Sequence, residues 1–263
     1  FNHRGLRDSR DVASAREADV VVVGDSFAFG WGVEEAERFG NRLEALTGRR
    51  VFNLAVPTDL GGAARLLDWA RGLGARPGRV VLAVCMENDV RLYRERSPDE
   101  EAPTRRSRLR AAVIRLWQRM ALRSLVTTAV HSSPRLEKLA ARAGLVRENV
   151  EGIGRDSCEP ELLESSAARV RLIARAFPTI VLLVPSRGLW AGPTREEARC
   201  VHDRFLAALR QEGLDVVDPR LAFEATGNPL GLHFVKDPHW TPRGHDLAAR
   251  LLAERPRLRP VVP

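Results

Sequence analysis

The chain contains no uninterrupted apolar stretch of about 18 residues, the length a membrane-crossing helix requires, so nothing in its 263 residues reads as spanning a bilayer. Cysteine is scarce: Cys85, Cys158 and Cys200 are odd in number, widely spaced and without a Cys-x-x-Cys pair, which indicates neither a disulfide framework nor a zinc site. Cys85 lies in the apolar run VVLAVC and reads as a small core residue. The HExxH, GxGxxG and P-loop patterns are missing and no Asp/Glu cluster suggests a metal, so no metal, nucleotide or other cofactor is expected. Internal repeats and low-complexity tracts are also lacking.

What is present is an ordinary globular balance, 44% hydrophobic and 29% charged, enough to bury one large core. One domain over residues 1–263 is the working expectation. The formal charge of +8 comes almost entirely from Arg spread along the chain, which reads as a solvated surface rather than a footprint for nucleic acid. The first residue is Phe1, not Met, which leaves room for a signal peptide or a membrane tether upstream.

Four short Val-, Ile- and Leu-rich runs bounded by Gly, Pro or Asp predict buried strands: Val20 to Val23, Val51 to Leu54, Val80 to Val84 and Ile180 to Val184, with a weaker fifth at Leu214 to Val217. Between and after them, helical periodicity covers Glu34 to Leu46, Gly61 to Leu73, Glu161 to Ala176, Thr194 to Gln211 and Pro242 to Ala253. Strands alternating with helices predict an α/β fold, a parallel sheet of about five strands covered on both faces. In such sheets ligands bind beyond the carboxyl ends of the strands. The alternation breaks over residues 94–157. There Leu109, Val113, Leu116, Trp117, Met120 and Leu125 recur at helical spacing, predicting an inserted helical subdomain. Packing on the core, a lid over the substrate and a surface helix all fit that stripe.

The first predicted strand runs into Gly24-Asp25-Ser26, which puts a serine hydroxyl where a ligand would sit. On these residues alone Ser26 reads equally as a turn or helix-capping residue. Far downstream, Asp237-Pro238-His239-Trp240 precedes a final helix that Thr241 can cap and Pro242 can open. A serine hydroxyl becomes nucleophilic near neutral pH when a histidine takes its proton, and a carboxylate fixes the histidine's tautomer. Asp237 and His239, two apart in an extended segment, point to one side and are candidates for those roles. After the third strand, Asn88 reads either as a turn residue or as an amide donor to the oxyanion of a tetrahedral intermediate. The remaining histidines, His3, His131, His202, His233 and His245, lack such a context. Phe27, Phe29 and Trp31 follow the serine closely and Trp240 adjoins the histidine; packing of the nucleophile loop and lining of an acyl or sugar pocket are both open.

With these blocks in order from about Asp19 to Glu254, the sequence resembles the SGNH or GDSL hydrolase superfamily. The resemblance implies a three-layer α/β/α, flavodoxin-like fold and a serine esterase with Ser26 as nucleophile and Asp237 and His239 completing a triad. It implies an oxyanion hole made by the Ser26 N–H, a backbone N–H at Thr58 and the Asn88 amide. The family usually carries glycine where Thr58 stands, and Gly61 or Gly62 is an alternative donor. The Asp-x-His-Trp spacing is similar to that of alginate O-acetylation proteins and related polysaccharide acetyltransferases. This implies a small acyl group such as acetyl on a carbohydrate as substrate, with O-acyl transfer to a sugar hydroxyl or a non-catalytic carbohydrate-binding role as alternatives. It also implies an extracytoplasmic location, periplasmic, secreted or membrane-anchored, although three free thiols would suit the cytoplasm equally well.

Overall fold

A computed structural model describes residues 1–93, 158–235 and 237–258. The predicted helical insertion, 94–157, lies outside the described residues, as does the role assigned to its apolar stripe.

All five predicted strands form, as β1 (Val20–Val23), β2 (Val51–Asn53), β3 (Arg79–Cys85), β4 (Thr179–Val184) and β5 (Asp215–Val217). They pair in the order β2-β1-β3-β4-β5, and every pairing is parallel. Registers such as Val20↔Val51, Val20↔Arg79 and Val80↔Thr179 align the strands so that their carboxyl ends finish along one edge. The strand order reverses beside β1, between β2 and β3, the place at whose carboxyl edge sheets of this kind bind ligands.

The strands read as continuous apolar runs because both faces are covered. Val21, Val23, Leu82, Val84, Val181 and Leu183 pack against α3 (Leu60–Gly72), α4 (Pro160–Ala176) and α5 (Arg195–Gln211). Val20, Val22, Val81, Ala83, Ile180 and Leu182 face α2 (Phe39–Thr47) and α7 (Pro242–Ala253), with α1 (Ser26–Phe29) and α6 (Arg220–Glu224) completing that layer. The result is the three-layer α/β/α arrangement. No helix among the described residues is long and apolar enough to cross a membrane.

Two expectations are corrected. The helix expected over Glu34 to Leu46 is a 3-10 turn at Glu35–Glu37 followed by α2, because Arg38 between them is extended. Arg38 is buried with its guanidinium donating to the Arg7 carbonyl, a tertiary contact that local periodicity does not report. The cysteines also do more than fill space. Cys158 and Cys200 form a disulfide, with their Cα atoms 5.9 Å apart. Cys158 lies just before α4 and Cys200 within α5, and the two helices pack side by side, so residues 42 apart in sequence come within bonding reach. Cys85 alone among the three is a free, buried thiol.

Candidate active site

Gly24 ends β1 with a φ of 153°, and a Cβ there would lie 2.8 Å from the Ala83 carbonyl oxygen, so only glycine lets β1 hand over to α1 beside β3. Asp25 follows, buried, and caps α1 by accepting the Phe27 N–H at 2.9 Å. Ser26 is therefore the first residue of that helix, where backbone N–H groups have no partner within the helix and the dipole favours negative charge.

The second Asp25 oxygen accepts from the Asn88 side-chain amide at 3.3 Å, joining the turn after β3 to the turn after β1. An amide carries two N–H groups, so one anchored on Asp25 leaves the other available. Burial pushes the Asp25 carboxyl up, partly offset by the bonds from Phe27 and Asn88. Nearby, Asp89 is raised to about 8 by burial and then by the Asp25 charge, although it accepts the Cys85 N–H at 2.9 Å. Two hindered carboxyl groups thus lie behind the serine.

Residues 233–235 pair back against 237–240. An antiparallel bridge joins His233 to Trp240, Phe234 N–H donates to the His239 carbonyl at 3.0 Å, and Thr241 N–H reaches the Leu232 carbonyl at 2.8 Å. Trp240 is fully buried between Phe27, Phe223 and His245 and anchors this excursion on the core. Asp237 and His239 are presented at its tip. The Asp237 carboxylate accepts from the His239 backbone N–H at 2.9 Å and from ring Nδ1, which fixes the tautomer and leaves Nε2 facing Ser26 Oγ at 2.7 Å. Phe27 backs the imidazole, with ring centroids 4.9 Å apart, and Trp31 lies along it at 6.0 Å.

Four of the five predicted residues are therefore gathered: Ser26, His239 and Asp237 in a hydrogen-bonded row, and Asn88 tied to the residue preceding the serine. Thr58 has no hydrogen bond to any of them among the described residues. It stands in the turn before α3, its hydroxyl against Gly62. Non-glycine residues with positive φ are absent among the described residues, so the backbone at Thr58 needs no glycine. The alternative donor Gly62 already gives its N–H to the Asp59 cap at 2.7 Å. The remaining described histidines have structural partners. His202 bonds Asp218 at 3.0 Å and His3 lies 3.4 Å from Asp11. His233 and His245 are pushed down to about 4 and about 3 chiefly by burial.

Sequence reasoning missed Asp25 as the joint between the two turns. Its signal was the Asp-Ser order at a strand-to-helix junction, where Asp is a strong cap.

No curated protein matches the chain. Among solved structures, it is similar to a member of the lipolytic protein G-D-S-L family from Veillonella parvula DSM 2008, at 14% identity and a TM-score of 0.52 over 90% of this chain and 96% of that one. It is likewise similar to the lipase/acylhydrolase from Enterococcus faecalis, at 12% identity and a TM-score of 0.51 over 91% and 95%. At these identities the likeness is one of fold. The GDSL-like lipase/acylhydrolase family model matches residues 22–247, from β1 through the serine turn to the helix after His239, and the chain belongs to that family of ester hydrolases.

Proposed function

We propose that the protein cleaves a carboxylic ester through an acyl-enzyme on Ser26. The row Ser26–His239–Asp237 carries this reading. His239 Nε2 takes the hydroxyl proton as Oγ attacks the acyl carbon, and Asp237 faces the imidazolium that forms. The developing oxyanion is met by the Ser26 N–H at the head of α1, the unanchored Asn88 N–H and a backbone N–H near Thr58. His239 then returns the proton to the departing alcohol, and water resolves the acyl-enzyme by the same relay.

The substrate class rests on the Asp-x-His-Trp resemblance, which supports a small acyl group, acetyl first, on a carbohydrate. A sugar hydroxyl in place of water at the second step would make the same machinery an O-acyltransferase. The Cys158–Cys200 disulfide supports work in an oxidising, extracytoplasmic compartment.

A fluorophosphonate probe is expected to label wild-type protein at Ser26, and Ser26→Ala is expected to lose both label and turnover of a short-chain aryl ester by orders of magnitude. Retained turnover in a folded Ser26→Ala variant removes the proposal.

A further inference from the structure

Trp31 combines two properties that oppose each other. Trp31 is 49% exposed, a large apolar surface left in water, yet the turn beneath it is tied down at several points. Gly30 and Gly32 on either side both have a φ of 80°. A Cβ on Gly32 would lie 2.9 Å from the Phe234 ring, so the turn rests directly on the excursion that carries His239. The Trp31 N–H donates to the Ser26 carbonyl at 3.0 Å. Arg7 clamps the same turn from outside, its guanidinium donating to the Gly30 carbonyl and, at 2.5 Å, to that of Val33. Phe29 supports the indole with a centroid distance of 6.3 Å. An exposed aromatic side chain on a fixed backbone is pre-organised for contact, since little conformational entropy is left to lose on binding.

Its place relative to the chemistry says which part of a substrate it meets. The indole centroid is 6.0 Å from that of His239, with the planes inclined by 35°. His239 must protonate the leaving oxygen, so the alcohol half of the ester lies against the imidazole, while the acyl half lies toward the oxyanion donors. Trp31 therefore adjoins the alcohol half. A half-exposed indole covers one face of its ligand and leaves the other in water. An alkyl chain or an aryl group would keep an apolar face wet there. A sugar ring would instead lay a C–H face on the indole and keep its edge hydroxyls in water.

Resting on the ester-hydrolase reading above, we infer that Trp31 is the stacking platform for the sugar ring of the alcohol half and determines specificity for esters of sugar hydroxyls. Because hydrolysis and transfer share that alcohol position, the platform serves a departing sugar and an accepting one alike.

The test compares the primary-hydroxyl acetate of methyl glucoside with ethyl acetate, two acetates of primary alcohols that differ in the ring. Trp31→Ala is expected to lower the ratio of kcat/KM for the glucoside ester over ethyl acetate by about tenfold, the effect of one lost ring contact, and Trp31→Phe to restore part of it. Equal losses on both esters would make the indole a mere support for His239 and overturn the inference, as would an unchanged ratio. Hydrolysis of ethyl acetate that persists in Ser26→Ala defeats the hydrolase reading instead. In that case the platform is read by calorimetric titration of Ser26→Ala with methyl glucoside, which carries no ester to be turned over. Weaker binding when Trp31→Ala is added supports it, and equal binding overturns it.

Discussion

Asp237→Asn separates charge from geometry in the proposed relay. The Asp237 carboxylate accepts from the His239 N–H at 2.9 Å and from its Nδ1, and an asparagine carbonyl can accept the same bonds, so the excursion keeps its shape. What disappears is a negative charge facing the imidazolium formed as Ser26 gives up its proton. Two unit charges about 4 Å apart interact by about 1 kcal/mol in water and about 4 kcal/mol at an effective dielectric of about 20. The Asp237 side chain is 40% exposed and that of His239 14%, so the loss falls between these limits. A loss of about 2–3 kcal/mol is roughly a 30- to 200-fold fall in kcat/KM. Steady-state hydrolysis of a short-chain ester measures it directly, and the gap from wild type should narrow in high salt because the pair is partly open to solvent. A fall beyond about 10⁴-fold would mean that the carboxylate acts as a buried charge, and a fall under about twofold that it faces no developing cation. Either result refutes the reasoning.

Asn88→Ala removes an amide whose other N–H is anchored on Asp25, and kcat should fall by roughly 10²-fold with little change in KM. A rise in KM alone would assign Asn88 to ground-state binding. Asp89 has its carboxyl raised to about 8 in the folded protein, above the unfolded value near 4, so its contribution to stability is full below about pH 4 and lost as pH rises through about 8. Asp89→Asn keeps an acceptor for the Cys85 N–H and should flatten the fall in urea midpoint between about pH 4 and 8; an undiminished slope would point to another group. The Cys158–Cys200 bond closes a loop with a sequence separation of 42, for which chain entropy gives an upper bound of about 4 kcal/mol. Cys200→Ser should accordingly lower Tm by on the order of 10 °C, whereas an unmoved Tm would show that helix packing already holds this junction.

The sheet was legible because burial on both faces leaves an unbroken apolar run at each strand, and the five runs were found with ends shifted by a residue or less. The serine, the Asp-x-His pair and Asn88 were legible because each follows a strand or precedes a helix, where the local pattern marks it. Features made by contact between distant segments were not. Nothing near Cys158 announces Cys200, since their meeting depends on how α4 and α5 pack. Arg38 breaks a helical pattern through a carbonyl 31 residues away. Asp25 reads locally as a cap, and its second bond spans 63 residues. Thr58 stands where the resembled family usually has glycine, and its turn has no positive φ that would require one.

The bond between His239 and Ser26 spans 213 positions of chain. In the proposed relay the serine at the head of α1 stays an ordinary alcohol until the excursion before α7 has docked, and that docking uses Trp240 and the contact of α7 with α2. Reactivity is thus a property of the finished fold. On that mechanism a chain still being made, or one whose α7 has come loose, carries the serine without its base, so titration of Ser26 by a covalent probe is expected to count completed molecules.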